Sequence, residues 1–220
     1  MIKAIVFDFD GTIIDTETAW YSAFRELYKQ HGVDLSLELY SGCIGTSLHT
    51  FNPYEYLITE HRLPIDREAF RQEVRLRHAA LMEREEMRRG IRSYLDQAKE
   101  AGLKIGLATS SEKAWVDRFL PRLGIADYFD CVRTADDVVN VKPDPELYVR
   151  TLECLGVAPE EAVAIEDSPN GAKAAAAAGM HCVVVPNAIT QYLQFDAPNY
   201  KLGCLTELEF NVLMGNPVGS

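Results

Sequence analysis

No run of about 20 uninterrupted apolar residues occurs in this chain, so none of it reads as a bilayer-spanning helix. The start has no basic cluster leading into an apolar stretch, and a signal peptide is not expected. Positive charge is scarce. Lys and Arg number 22 against 33 Asp and Glu, and the formal net charge is -11. No Lys/Arg cluster interrupts that excess, which disfavours nucleic acid as a partner. An acidic protein can still bind phosphate if a local cation, such as a divalent metal, serves it. The five cysteines, Cys43, Cys131, Cys154, Cys182 and Cys204, show no CxxC or other tight metal spacing. They are expected to be reduced, mostly buried thiols of a cytoplasmic protein. Internal repeats, low-complexity tracts and long flexible linkers are also missing.

What the chain does have is a core. With 220 residues, 47% of them hydrophobic, there is material for one large domain, or for one carrying a smaller one. Residues 2–7 are short, apolar and β-branched and stop at Asp8, with Gly11 soon after. That pattern predicts a buried strand ending in a turn. From Glu17 to about Arg88 helical periodicity takes over, with Trp20, Phe24, Leu27 and Tyr28 on one stripe and Phe70, Val74 and Leu81 on another. After Gly90 strands and helices alternate. Strands are predicted over 103–108, 131–134, 162–165 and 182–185, and helices after Ser111, from Asp144-Pro145 to Leu155, from Ser168-Pro169 to Gly179, and over 205–214. Alternation implies parallel pairing in a doubly wound α/β sheet. The helical stretch is then an insertion after the first strand. Residues 1–15 and 89–220 are assigned to the α/β core and 16–88 to the inserted domain.

Ligands of open α/β sheets gather outside the carboxyl ends of the strands. The first strand delivers Asp8 and Asp10 there, the second Thr109 and Ser110, and the strand over 162–165 delivers Glu166 and Asp167, while Lys142 precedes a helix start between them. Acids, hydroxyls and one ammonium from four stretches suit phosphoryl transfer. Clustered carboxylates need a cation to stay ionised together, and Mg²⁺ favours oxygen ligands. Asp8 is placed to attack phosphorus and form an aspartyl-phosphate. Asp10 is placed to protonate the departing oxygen and then take a proton from water. Lys142 and Thr109 would hold phosphoryl oxygens, with help from the N-terminus of the helix expected near Ser111.

Asp8-Phe9-Asp10-Gly11-Thr12 resembles the first signature of the haloacid dehalogenase superfamily, and Thr109 after its strand looks like the second. Lys142-Pro143-Asp144-Pro145 looks like the third, and Glu166-Asp167-Ser168 with Gly171 like the fourth. The resemblance extends over nearly the whole chain. It implies a Rossmann-like parallel-sheet core with a helical C1 cap inserted after the first strand. It also implies a small phosphorylated metabolite as partner and Mg²⁺ as cofactor. Asp8 is then the nucleophile, and Asp10 the acid/base with its carbonyl on the metal. Gly11, Thr109, Ser110 and Lys142 lie about the phosphate with Asp8, and Glu166 or Asp167 completes the metal site. Whether Glu166 touches the metal or stands behind Asp167 is left open.

Within that superfamily Asp10 favours phosphate over halide chemistry, since a halide leaves without a proton. No lysine occurs between Gly42 and Pro64, against a Schiff-base phosphonate hydrolase. The chain most resembles the β-phosphoglucomutase and phosphoglycolate phosphatase branch. The mutase has a cap histidine where Trp20 stands and a cap arginine where Leu48 falls. Lacking that arginine, the chain suits hydrolysis of a sugar phosphate or phosphoglycolate. A phosphosugar mutase is the alternative, and a sugar-phosphate binding module the alternative without catalysis. Thr46, Ser47 and His49 are candidates for the cap's substrate contacts. His61, His78 and His181 read as surface or core, His31 as a residue at a helix end that favours positive charge, the Arg/Glu run over 84–89 as a solvated helix face, and Ser168 as a helix cap. A monomer or weak dimer is expected.

Overall fold

The structure is a computed structural model that describes residues 1–41, 43, 51–196, 198–215 and 217. In chain order its elements are β1 (Ala4–Phe7), α1 (Thr16–Gln30), α2 (Leu37–Ser41), α3 (Tyr56–Thr59) and α4 (Arg67–Met82). Then follow α5 (Ile91–Glu100), β2 (Lys104–Ala108), α6 (Lys113–Leu123), β3 (Cys131–Arg133) and α7 (Glu146–Leu155). The chain ends with β4 (Ala162–Glu166), α8 (Pro169–Ala177), β5 (His181–Val184), β6 (Tyr200–Lys201) and α9 (Phe210–Gly215). Two compact units emerge, one of Met1–Ile14, Glu86–Asn187 and Leu193–Ser220, the other of Asp15–Glu85 and Ala188–Tyr192.

The first unit is an α/β fold built on a six-stranded sheet in the order β3-β2-β1-β4-β5-β6, with parallel pairing throughout. All four residues of β1 and all five of β4 are buried, so these strands are near-continuous apolar runs, as expected of strands covered on both faces. Register decides where the polar residues end up. Phe7 pairs with Leu107 on one side and with Ile165 on the other. Asp8, Ala108 and Glu166 therefore leave the sheet at one level. The chain runs from β1 to β2 on one side and later returns to β4 on the other, so this level is also where the strand order reverses. Leu147, Tyr148 and Leu152 of α7 pack with Ala172, Ala174 and Ala175 of α8 in the same core. The small alanines let α8 lie close to the sheet.

The second unit is helical. Ala23, Phe24, Leu27 and Tyr28 of α1 pack with Phe70 and Val74 of α4 and with Tyr40, Phe51 and Leu57. Burying each large side chain of this kind contributes about 1.5–3 kcal/mol before entropy is charged against it. Asp15 caps α1 by accepting from the Thr18 amide at 3.0 Å. Ile189 joins the same core, so residues 188–192 group with the helices despite lying far along the chain.

Three local expectations need correction. Cys131 and Cys154, expected as free thiols, form a disulfide that ties β3 to α7 across a Cα separation of 6.3 Å. Cys43, Cys182 and Cys204 are free. The helix expected over 205–214 is a 3₁₀ turn at Leu205–Glu207 followed by α9. Finally, Ser111 does not cap α6. The N-cap is Glu112, without a side-chain bond, because the Ser111 hydroxyl is engaged at the sheet edge.

Candidate active site

Asp8 follows directly from β1 and is 6% exposed. Its Oδ1 accepts from the Lys142 ammonium at 2.6 Å. Lys142 stands before α7, and its other two recorded bonds run to the Ala108 carbonyl and to Glu166 Oε1, each at 2.7 Å. An ammonium has three protons to donate, and these three acceptors use them all. Burial alone would push the lysine's pKa down; the Asp8 and Glu166 carboxylates outweigh it and hold Lys142 above its ordinary value. The lysine is therefore a fixed cation. Its Nζ also lies 4.9 Å from the centre of the Tyr148 ring.

Glu166, the last residue of β4, is fully buried. Burial raises its pKa, with the Lys142 charge pulling the other way. Its Oε1 accepts from the Tyr148 hydroxyl at 2.5 Å as well as from Lys142. Burial, with Glu166 beside it, keeps the Tyr148 phenol well above its usual range and hence neutral. Asp167, the next residue, has its Oδ2 fixed by the Asn187 amide at 2.8 Å. Carboxylate oxygens of Asp8, Glu166 and Asp167 all lie within 4.8 Å of one another. Three acidic side chains and one ammonium are thus crowded together, and all three acids are buried. That crowding of acids and the all-oxygen donor set fit a hard divalent cation.

Asp10 has a separate set of partners. The Trp115 indole donates to its Oδ1 at 2.9 Å. The Ser111 hydroxyl donates to Oδ2 at 2.5 Å, and the Thr109 hydroxyl approaches the same oxygen at 3.4 Å. Thr109 is 1% exposed, and its oxygen also accepts the Ser111 amide at 3.1 Å. That amide is thus turned to Thr109 instead of lying in the first turn of a helix. Ser110 between them is exposed.

Gly11 turns the chain after Asp10 with φ +81, where a side chain would be strained. Its amide donates to the Ile14 carbonyl at 2.7 Å, and its carbonyl takes the Arg88 guanidinium. Arg88 also holds the Val185 and Pro186 carbonyls at 2.8 and 2.9 Å, so it is a clamp across the strand ends, not part of a solvated face. Ser168 caps α8, accepting from the Gly171 amide at 3.1 Å.

Asp8, Lys142, Glu166 and Asp167 thus meet in one cluster, and Asp10 and Thr109 in a second arrangement at the same sheet edge. Thr46, Ser47 and His49, with Leu48, lie outside the described residues. Sequence reasoning missed Trp115, Tyr148, Asn187 and Arg88. Of these Asn187 alone left a signal, as a polar residue just past the end of a strand.

Comparison with known proteins points the same way. A family model described as haloacid dehalogenase-like hydrolase matches residues 5–185. The chain is 45% identical over 214 residues to YhcW of Bacillus subtilis, covering 97% of each. It is 32% identical over 217 residues to hexitol phosphatase B of Escherichia coli, again covering 97% of each. Among solved structures, CbbY from Rhodobacter sphaeroides in complex with phosphate superposes with a TM-score of 0.70 at 32% identity, over 94% of this chain and 96% of that one.

Proposed function

The chain belongs to the haloacid dehalogenase-like hydrolases, and from that premise we propose that it hydrolyses small phosphate monoesters through a phosphoenzyme on Asp8. The observation that carries this reading is the pairing of a buried, lysine-bound carboxylate, Asp8, with a second carboxylate, Asp10, held apart on neutral donors. A binding site alone has no need of two acids with such different partners.

In this reading an Asp8 oxygen attacks phosphorus in line, its O–P bond forming as the bond to the leaving oxygen breaks. Asp10 gives that oxygen a proton and then takes one from the water that cleaves the acyl phosphate. Lys142 stays protonated between Asp8 and Glu166 and balances charge beside the nucleophile. The Thr109 and Ser110 hydroxyls are assigned to the oxygens of the transferred group, as the family resemblance implies. Asp8 and Asp167, with the Asp10 carbonyl that the family resemblance implies, would hold Mg²⁺. Glu166 has both oxygens in contact with donors, Oε1 with Lys142 and Tyr148 and Oε2 with the Asp167 amide and Ser168 hydroxyl at 3.3 and 3.4 Å. We therefore read it as the anchor of the lysine. When bound, the ion neutralises charge on the phosphoryl oxygens.

The substrate class we favour is a sugar or hexitol phosphate, on the strength of the hexitol phosphatase relative. The helical unit is read as a C1 cap, with Thr46, Ser47 and His49 as the candidates for its substrate contacts. A cytoplasmic monomer or weak dimer completes the proposal. The test is phosphate release from a panel of hexose, hexitol and pentose phosphates and phosphoglycolate, with Mg²⁺ and after exhaustive chelation. Release that requires metal and vanishes in Asp8→Asn is expected. Release that survives Asp8→Asn refutes the nucleophile, and interconversion of hexose 1- and 6-phosphates without release would replace hydrolysis by mutase chemistry.

A further inference from the structure

Asp10 is tied to α6 by a residue that the mechanism above does not use. Trp115 sits in the first turn of α6, half-buried, with its ring centre 4.5 Å from that of Phe119. Phe119 is buried and lies 6.4 Å from Phe9, the residue before Asp10 in the chain. The indole is thus wedged against the segment that carries Asp10, and its N–H meets Asp10 Oδ1 at 2.9 Å. An indole N–H can only donate, so Oδ1 is held as an acceptor. The other oxygen, Oδ2, meets the hydroxyls of Ser111 and Thr109, which can donate or accept. The two oxygens of one carboxylate are therefore made inequivalent by the protein.

We propose that Trp115 is a positioning residue for the acid–base group, fixing the Asp10 carboxylate so that Oδ2 is the oxygen that trades the proton with the leaving group. The proposal rests on the reading of Asp10 given above. In the first half-reaction the Asp8–phosphorus bond forms, the bond from phosphorus to the leaving oxygen breaks, and the proton moves from Oδ2 to that oxygen. An alkoxide leaving group depends on this proton. A p-nitrophenolate departs without one. A residue that only stabilises the fold would weaken both reactions alike, whereas one that aims the acid weakens them unequally.

Trp115→Phe keeps the aromatic contact with Phe119 and deletes the N–H. Values of kcat/KM, which report the steps through phosphorus transfer, are compared for glycerol phosphate and p-nitrophenyl phosphate. The alkyl ester is expected to lose at least about tenfold more than the aryl ester, with Asp10→Ala showing the same bias more strongly. Equal losses on the two esters, or no loss on either, overturn the proposal. A second measurement tests the contact without turnover. The chain has two tryptophans, Trp20 and Trp115, so a nitrogen-labelled sample gives two indole N–H resonances, and the one absent from Trp115→Phe is expected to shift in Asp10→Ala. A resonance that stays in place overturns the contact itself. If the wild-type chain releases phosphate from neither ester while that resonance does shift, the fault lies with the hydrolase reading, and the catalytic role given to Trp115 falls with it.

Discussion

Lys142 and Glu166 form an ion pair at 2.7 Å with side chains 5% and 0% exposed. Such a pair gains little over an apolar replacement, but breaking it leaves an unmatched charge in a medium that cannot solvate it. Lys142→Met strands both Glu166 and Asp8. It is expected to cost about 3–5 kcal/mol of unfolding free energy, read by urea denaturation, and to abolish phosphate release. The double variant Lys142→Met/Glu166→Gln removes the stranded charge on Glu166 and should regain much of that stability while staying inactive. If the double variant is as unstable as the single one, Glu166 is not the source of the cost.

Gly171 sets two physical effects against each other. It lies in α8, where alanine is the better helix former by about 0.8–1 kcal/mol. A Cβ at this position, however, would overlap the carboxylate of Glu166. The overlap falls on a side chain gripped by Lys142 and Tyr148, which cannot swing aside without losing both. Gly171→Ala is therefore expected to destabilise the chain by about 2–4 kcal/mol, in the range of other buried polar disruptions, and to lower kcat/KM at least tenfold. A melting temperature at or above that of the wild type would show that propensity wins and that Glu166 has room to move.

The parts of the site that lie next to each other in the chain were the parts legible in the sequence. Asp8-Phe9-Asp10-Gly11-Thr12 carries its own pattern, and strand alternation was enough to bring Thr109, Glu166 and Asp167 to one sheet edge. Residues that act over long separations left no pattern. Trp115 shares a helical stripe with Phe119 and reads as core, because periodicity cannot tell an indole turned toward a carboxylate from one packed on a sheet. Tyr148 looks like any buried residue of α7 until Glu166, 18 positions away, is placed against its hydroxyl. Arg88 sits in a charged run whose average says solvent, though three main-chain carbonyls claim its guanidinium. β6 spans two residues, too short for any alternation to register. The Cys131–Cys154 bridge joins positions 23 apart, and nothing in that spacing marks a pair.

In the helical unit His78 is 4% exposed, its ring 3.7 Å from that of Trp20 and nearly parallel to it. Burial pushes its pKa down to about 4 from 6.5, partly countered by a hydrogen bond with the Thr16 backbone. The folded form thus resists a proton that the unfolded chain accepts below about 6.5. Between the two values the unfolded state binds more protons, so stability rises with pH there. The contribution is complete above about 6.5 and is lost as pH falls toward 4, amounting to about 3 kcal/mol. His78→Phe should flatten this part of the pH dependence, seen as the difference in melting temperature between variant and wild type at pH 7 and at pH 4.5. An identical pH slope in both proteins would show that His78 titrates normally.

Asn187 bonds Asp167 Oδ2 at 2.8 Å and is 5% exposed. Gly11 crowds the same oxygen, since a Cβ there would also meet Asp167, so the carboxylate is boxed in from two sides. In the proposed site Asp167 holds the metal, and partners that orient such a ligand typically affect metal affinity by about 10–100-fold. Asn187→Leu fills similar space without the donor and lets the Asp167 carboxylate rotate. The Mg²⁺ concentration for half-maximal phosphate release should rise by about tenfold or more, while the rate at saturating Mg²⁺ changes much less, because Asp8, Asp10 and Lys142 keep their own partners. A reduced rate that added Mg²⁺ does not restore would instead place Asn187 at the reacting group. An unchanged Mg²⁺ requirement would remove Asp167 from the metal site.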